Sequence, residues 1–265
     1  MRFVDGLRHV SNNLPNPEDT KRFYLWGIQA SQYLHDRQYQ ACFMNDLGRV
    51  YLEQSEFMQA KQLWTESLEI VASLKQPAPM HLWGALSDLG DLAYIQGEGD
   101  IAMEYAEMYL KHYQNSDNKI RTADAHYCYA VYARLQGQLD RAYKSVRSGM
   151  DILSQRGQIS ESSLENFIKL RVQAEWARVQ GDYSASQVPI ELAASLIQER
   201  GNYHLLADLL LEQARFARNQ GRYHDARHLA QRVVLVAEQM KFPLYHQLST
   251  QLLQQIAGTM PLSSI

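Results

Sequence analysis

Five times along this chain the same triad of positions returns: a small residue, a turn former seven residues on, and a second small residue five beyond that. The triads are Gly48/Ser55/Ala60, Gly90/Gly97/Ala102, Ala130/Gly137/Ala142, Ala174/Gly181/Ser186 and Ala214/Gly221/Ala226. Their turn positions lie 42, 40, 44 and 40 residues apart. A fixed period of this length constrains the fold more than any local motif. It requires one supersecondary unit, stacked, with each copy burying its face on its neighbours. Such a stack offers an extended surface rather than one catalytic cleft, and the period by itself names no ligand.

The apolar spacing within each unit is helical on both sides of the turn. First helices are expected near 40–54, 80–96, 120–136, 163–180 and 204–220, and second helices near 57–74, 100–114, 139–154, 184–200 and 223–240. A small residue on the first helix lets the two arms approach. Glycine at the turn supplies a backbone conformation that other residues resist. Phe57, Leu139, Tyr183 and Tyr223, two places after the turn, are expected to plug the space between arms. The second unit has Gly99 there, so a looser hairpin or a later helix start is expected. Pro189 is expected to kink the second helix of unit four or to displace its start toward Ile190.

Residues 1–17 read as an irregular lead-in because Pro15 and Pro17 resist helix. A capping helix over about 18–35 follows, with acidic Glu18 and Asp19 at its positive end. Phe23, Trp26, Ile28, Ala30 and Leu34 are its expected inner face. A final helix near 244–257 carries Leu244, Leu248, Leu252 and Ile256 at helical spacing, as a terminal cap requires. No persistent strand-like alternation and no low-complexity linker interrupt the pattern. The expectation is one all-α domain over 18–258 with a short tail over 259–265.

Composition narrows the function classes. A net charge of -3 with 21% charged residues gives no field for nucleic acid or another polyanion. No apolar run approaches the roughly 18 residues that a membrane span needs. The first residues, Met1-Arg2-Phe3-Val4-Asp5-Gly6-Leu7-Arg8, lack a signal-type apolar core. Cys42 and Cys128 fall in different units and inside expected helices, which fits a reducing cytoplasm rather than a disulfide framework.

Leu47-Gly48, Tyr51, Phe57, Ala60 and Trp64 in the first unit, with Leu89-Gly90, Tyr94, Gly97 and Ala102 in the second, resemble the tetratricopeptide repeat. The remaining units keep the small residues and the turn glycine, and the last two keep the Tyr after it. The likeness covers roughly 40–240. The usual closing proline is missing and the period is long, as in the extended repeats of bacterial sensor arms. The resemblance implies a right-handed superhelical solenoid of about five hairpins, capped at both ends, whose first helices line a concave groove. Carried over position by position, the groove residues are Asn45, Arg49 and Glu53, then Ser87, Asp91 and Tyr94, then Asp124, Tyr127 and Arg134. Arg171, Glu175 and Arg178 follow, then Asp208, Arg215 and Arg218.

Five arginines in the last three sets suit an acidic segment or a C-terminal carboxylate through their planar forks. Arg171, Glu175 and Arg178 at i, i+4 and i+7, and Glu212 three residues before Arg215, also fit ladders that only solvate a helix face. The function expected from the resemblance is a non-enzymatic scaffold for a peptide or partner helix. The alternative is a sensor arm that relays a bound signal as a change of superhelix. No cofactor is expected. A metal site at His224 and His228, one turn apart, would lack the glutamate of the zinc-protease pattern and any further ligands. No nucleophile-elbow or phosphate-loop pattern occurs.

Overall fold

The computed structural model describes residues 16–74, 84–114, 116–155 and 163–259. Among them are twelve α-helices and no strand. We number them α1 (Pro17–Tyr33), α2 (Arg37–Glu53), α3 (Phe57–Ala72), α4 (Gly84–Ile95), α5 (Gly99–Tyr113), α6 (Lys119–Leu135), α7 (Leu139–Ser154), α8 (Ser163–Val179), α9 (Tyr183–Gln198), α10 (Tyr203–Asn219), α11 (Tyr223–Met240) and α12 (Pro243–Thr259). The chain divides into two compact units, Pro17–Ile159 with α1–α7 and Ser160–Ile265 with α8–α12. Residues 1–15 of the expected 1–17 lead-in, and 260–265 of the expected 259–265 tail, lie outside the described residues.

All five hairpins form where the period places them, and all ten small residues of the triads are buried. The turn position takes a left-handed backbone every time, with φ +63° at Ser55 and +72° to +80° at the four glycines. Each turn closes two bonds back onto the preceding helix. In the first hairpin Ser55 N donates to Leu52 O at 2.9 Å and Glu56 N donates to Tyr51 O at 2.8 Å. This pair of bonds satisfies carbonyls that a helix end otherwise leaves open. The next helix starts two residues after the turn, so the residue between serves both as exit and as N-cap. Asp182 fills that place with a side chain that accepts from Ala185 N at 2.9 Å.

The same turn joins helices of different repeats. His35, Gly201 and Lys241 also have positive φ and make the same two bonds. Left-handed residues therefore recur at 181, 201, 221 and 241, every twenty residues through the second unit. The surplus over shorter repeats goes into the helices, whose first members α2, α6, α8 and α10 each run 17 residues.

Several local expectations are corrected. Pro17 is the first residue of α1, where its missing N–H costs nothing. α5 starts at Gly99 itself, and the lack of a side chain there is filled from the next repeat: a Cβ would stand 1.9 Å from Nε2 of Gln136. α9 runs from Tyr183 through Pro189, so its start is not displaced. The plug residue Tyr183 is buried, whereas Leu139 is exposed. α1 turns Thr20, Tyr24 and Ser31 inward, and Gly27 admits the Phe43 ring; Trp26, Ala30 and Leu34 face outward.

Gly48 and Gly90 hold the same repeat position but receive different neighbours. Trp64 of the same hairpin lies on Gly48, and Tyr132 of the following first helix lies on Gly90. The cores consist mainly of alanine with Leu, Ile and Val between the arms, and Trp64, Tyr109 and Tyr113 are the bulky aromatic side chains with almost no exposure. Tyr245, Leu252 and Ile256 of α12 close the core of the second unit, and Leu244 is buried as well.

Candidate functional site

The expected groove residues lie on first helices, and in both units many of them grip the first helix of the next repeat. The governing distance along the chain is one repeat. In the first unit, Arg49 of α2 reaches Asp88 of α4 with its Nε 3.1 Å from both carboxylate oxygens and Nη2 at 3.0 Å. The Asp88 carboxylate raises the Arg49 pKa above the ordinary guanidinium value and keeps it charged. Asp91 of α4 accepts from the hydroxyl of Tyr132 on α6, and the Tyr94 and Tyr132 rings stand 6.2 Å apart. Ser87 Oγ lies 3.4 Å from Cys128 Sγ, again between α4 and α6.

In the second unit Arg178 of α8 is 2% exposed. Its Nη1 donates to Glu212 of α10 at 2.7 Å and lies 3.5 Å from Glu175 Oε2. Its Nε and Nη2 both donate to Gln213 Oε1, at 3.1 and 2.9 Å. Gln213 passes the network to Ser186 of α9 at 3.2 Å. Arg218 of α10 donates to Gln255 of α12. Asp208 has its carboxyl pKa raised by burial against the pull of Arg171. Arg171 sits over the Phe167 ring at 5.2 Å.

These placements sort the nine expected binding residues. Asn45 and Tyr127 are buried in the first unit, and Arg178 is buried in the second, with its donors turned to protein oxygens. Arg178 is thus an interior clasp between hairpins, which a sequence reading of its helical spacing does not distinguish from a surface ladder. Arg49, Tyr94 and Arg134 in the first unit, and Arg171, Arg215 and Arg218 in the second, remain half-exposed. Asp88, Glu212 and Gln213 carry the clasps; the sequence singles out neither Asp88 nor Gln213, and offers Glu212 only as a ladder partner of Arg215. Their signal is a polar residue 34 to 39 positions beyond an arginine of the preceding first helix.

Among the described residues no group of three or more His, Cys, Asp or Glu is placed to hold a metal ion. His224 and His228 are both exposed on α11. Cys42 and Cys128 are both buried, and neither is in a disulfide. No helix among the described residues is long and apolar enough to cross a membrane.

Repeated antiparallel helix pairs, joined by one recurrent turn and clasped one repeat apart, define a helical-repeat protein. The fold is a stack of tetratricopeptide-like helix hairpins. No protein-family model matches its sequence, and no curated protein does. Solved structures do match. A Rap protein complexed with competence and sporulation factor aligns with a TM-score of 0.54 at 14% identity, over 83% of this chain and 62% of that one. BtubC (BKLC) from P. vanneervenii aligns with a TM-score of 0.53 at 18% identity, over 85% of this chain and 92% of that one. The chain thus spans about three fifths of the Rap protein's length, and at these identities the likeness is one of fold.

Proposed function

We propose that this chain is a non-enzymatic scaffold that holds a peptide or a partner helix on the exposed faces of its first helices. The observation that carries the reading is the division of labour on those helices. In the first unit Asp88 fixes α4 to α2 while Tyr94 of α4 and Arg134 of α6 stay half-exposed, and in the second Gln213 and buried Arg178 fix α10 to α8 while Arg171 of α8 and Arg215 and Arg218 of α10 stay half-exposed. Within each unit, half-exposed arginine and tyrosine side chains are of the kinds that dominate interface energies, and holding them in place beforehand lowers the entropic cost of binding. The solved Rap protein is complexed with competence and sporulation factor, which supports a reading as a binding scaffold.

The arginine-rich faces of the second unit favour an acidic segment or a free C-terminal carboxylate, since guanidinium forks pair with carboxylates in two parallel bonds. The test is a peptide array of acidic and carboxylate-ended sequences, read with the wild-type chain and with Arg134→Glu and Arg215→Glu. Retained folding with loss of capture in Arg215→Glu supports the second unit as the site. Loss in Arg134→Glu alone moves the site to the first unit. Equal capture by both variants removes the groove reading.

A further inference from the structure

The first described helix turns Tyr24 and Ile28 toward its neighbours but leaves much of its apolar surface on the opposite, outer side. Trp26 is 67% exposed and Tyr33 is 85% exposed, and Leu25 and Leu34 are exposed beside them. The opposite face, which meets α2, is made of Thr20, Tyr24, Gly27 and Ser31. An outer cap of a repeat stack is normally polar. α12 obeys that rule: Gln247, Gln251, Gln254 and Gln255 are exposed, and none of its large apolar side chains is.

We propose that this face of α1 is a homodimer interface, occupied by α1 of a second copy in antiparallel orientation. The exposed row runs Arg22, Trp26, Gln29, Tyr33, and it is complementary to itself about its own middle. A two-fold axis midway between Trp26 and Gln29 sets Arg22 against Tyr33 of the second copy, Leu25 against Ala30, and Trp26 against Gln29. Arg22 then lies over an aromatic face and beside the negative end of the opposing helix. α1 has Glu18 and Asp19 in its first turn and no basic residue in its last. A parallel pairing would set Arg22 against Arg22 of the second copy, whereas the antiparallel one sets each Arg22 against Tyr33. Arg22 has freedom to engage, being 70% exposed with its own Asp19 at 3.8 Å. The Gln-rich outer face of α12 offers no apolar complement, so the contact closes as a two-fold pair rather than growing head to tail.

The area sets the strength. The four apolar side chains present on the order of 500 Å² per copy, against about 800 Å² per partner in a stable complex. The dimer is therefore a micromolar one. It is independent of the groove reading, since it uses neither the first-helix arginines nor a peptide.

Sedimentation velocity of the full chain over about 1 to 200 µM reads it directly. The wild type should pass from monomer to dimer within that range. Trp26→Glu should weaken dimerisation at least tenfold with an unchanged melting temperature, and Arg22→Glu should weaken it without touching the apolar patch. Met58→Glu, which replaces a 76% exposed side chain on α3, should leave it unchanged. A wild type that stays monomeric throughout overturns the proposal and leaves the face to a different protein. So does a Trp26→Glu chain that dimerises like wild type, or an equal loss in Met58→Glu, which would mark general stickiness instead.

Discussion

A Cβ at Gly48 would stand 2.4 Å from Nε1 of Trp64. The indole occupies the place of the missing side chain, is fully buried, and donates Nε1–H to Asn45 O at 3.1 Å. The close approach of α2 and α3 is thus set by an atom that is absent, and the hydrogen bond fixes the ring in that gap.

Gly48→Ala should therefore cost about 1–3 kcal/mol, the range for overpacking a filled core. Gly258→Ala is the control: nothing lies within 4 Å of its added Cβ, and it sits inside α12. That variant should lose nothing. Urea unfolding of both chains, followed by tryptophan fluorescence, checks the contrast. Equal stability would mean that Trp64 moves aside at no cost.

The clasp at Arg178 is a second interior device. Glu175 and the Arg178 side chain are both without solvent exposure. Arg178→Leu would leave a buried carboxylate without its cation, and breaking such a pair costs about 3–5 kcal/mol. Removing both charges in Arg178→Leu/Glu175→Leu should recover part of that loss, because the stranded charge is gone. A double-mutant cycle by chemical denaturation measures the recovery. A loss below about 1 kcal/mol, the worth of an exposed pair, would place the guanidinium in solvent.

The fold was legible because its determinants are local. The five triads specify a turn and two close approaches by residue size alone, and the structure fills each position as its size requires. The turns at His35 and Lys241 escaped notice because a left-handed backbone there carries a side chain, so no glycine marks it. The face of α1 was misjudged for a different reason. Helical spacing identifies a stripe, and it does not say on which side the neighbour lies; Gly27 against Phe43 decides that, through a tertiary approach. For the candidate site, the helices were correct but the burial of Arg178 was not legible. Its burial depends on Glu212 and Gln213, 34 and 35 residues away, which supply acceptors that turn a surface-like arginine inward.

His126 links stability to pH. Its ring lies partly buried on α6 with Nδ1 3.0 Å from Ser145 Oγ, and burial holds its pKa below the ordinary 6.5. Between that lowered value and 6.5 the unfolded chain takes up a proton that the folded chain refuses, so stability falls as the solution is acidified. His126→Gln should flatten this part of the profile. Denaturation midpoints across about pH 5 to 7.5 report it, and a variant with the wild-type slope would assign the effect to other groups.

Ser55 holds the turn position with φ +63°, where the four other hairpins have glycine between +72° and +80°. An L-residue in this region costs about 1–2 kcal/mol. Glycine gives back about 0.5–1 kcal/mol of that in the backbone entropy it loses on folding. Ser55→Gly should therefore stabilise the chain by about 0.5–1 kcal/mol and raise its melting temperature. Gly97→Ala, which imposes a side chain at φ +80° with nothing within 4 Å to clash, should destabilise it through backbone strain alone. The two substitutions test one cause with opposite signs. Glycine at 35 and 241 should act as it does at 55, and the gains should add because the sites share no partner. A Ser55→Gly chain that melts lower than wild type would show that the hydroxyl, and not the backbone, governs this turn.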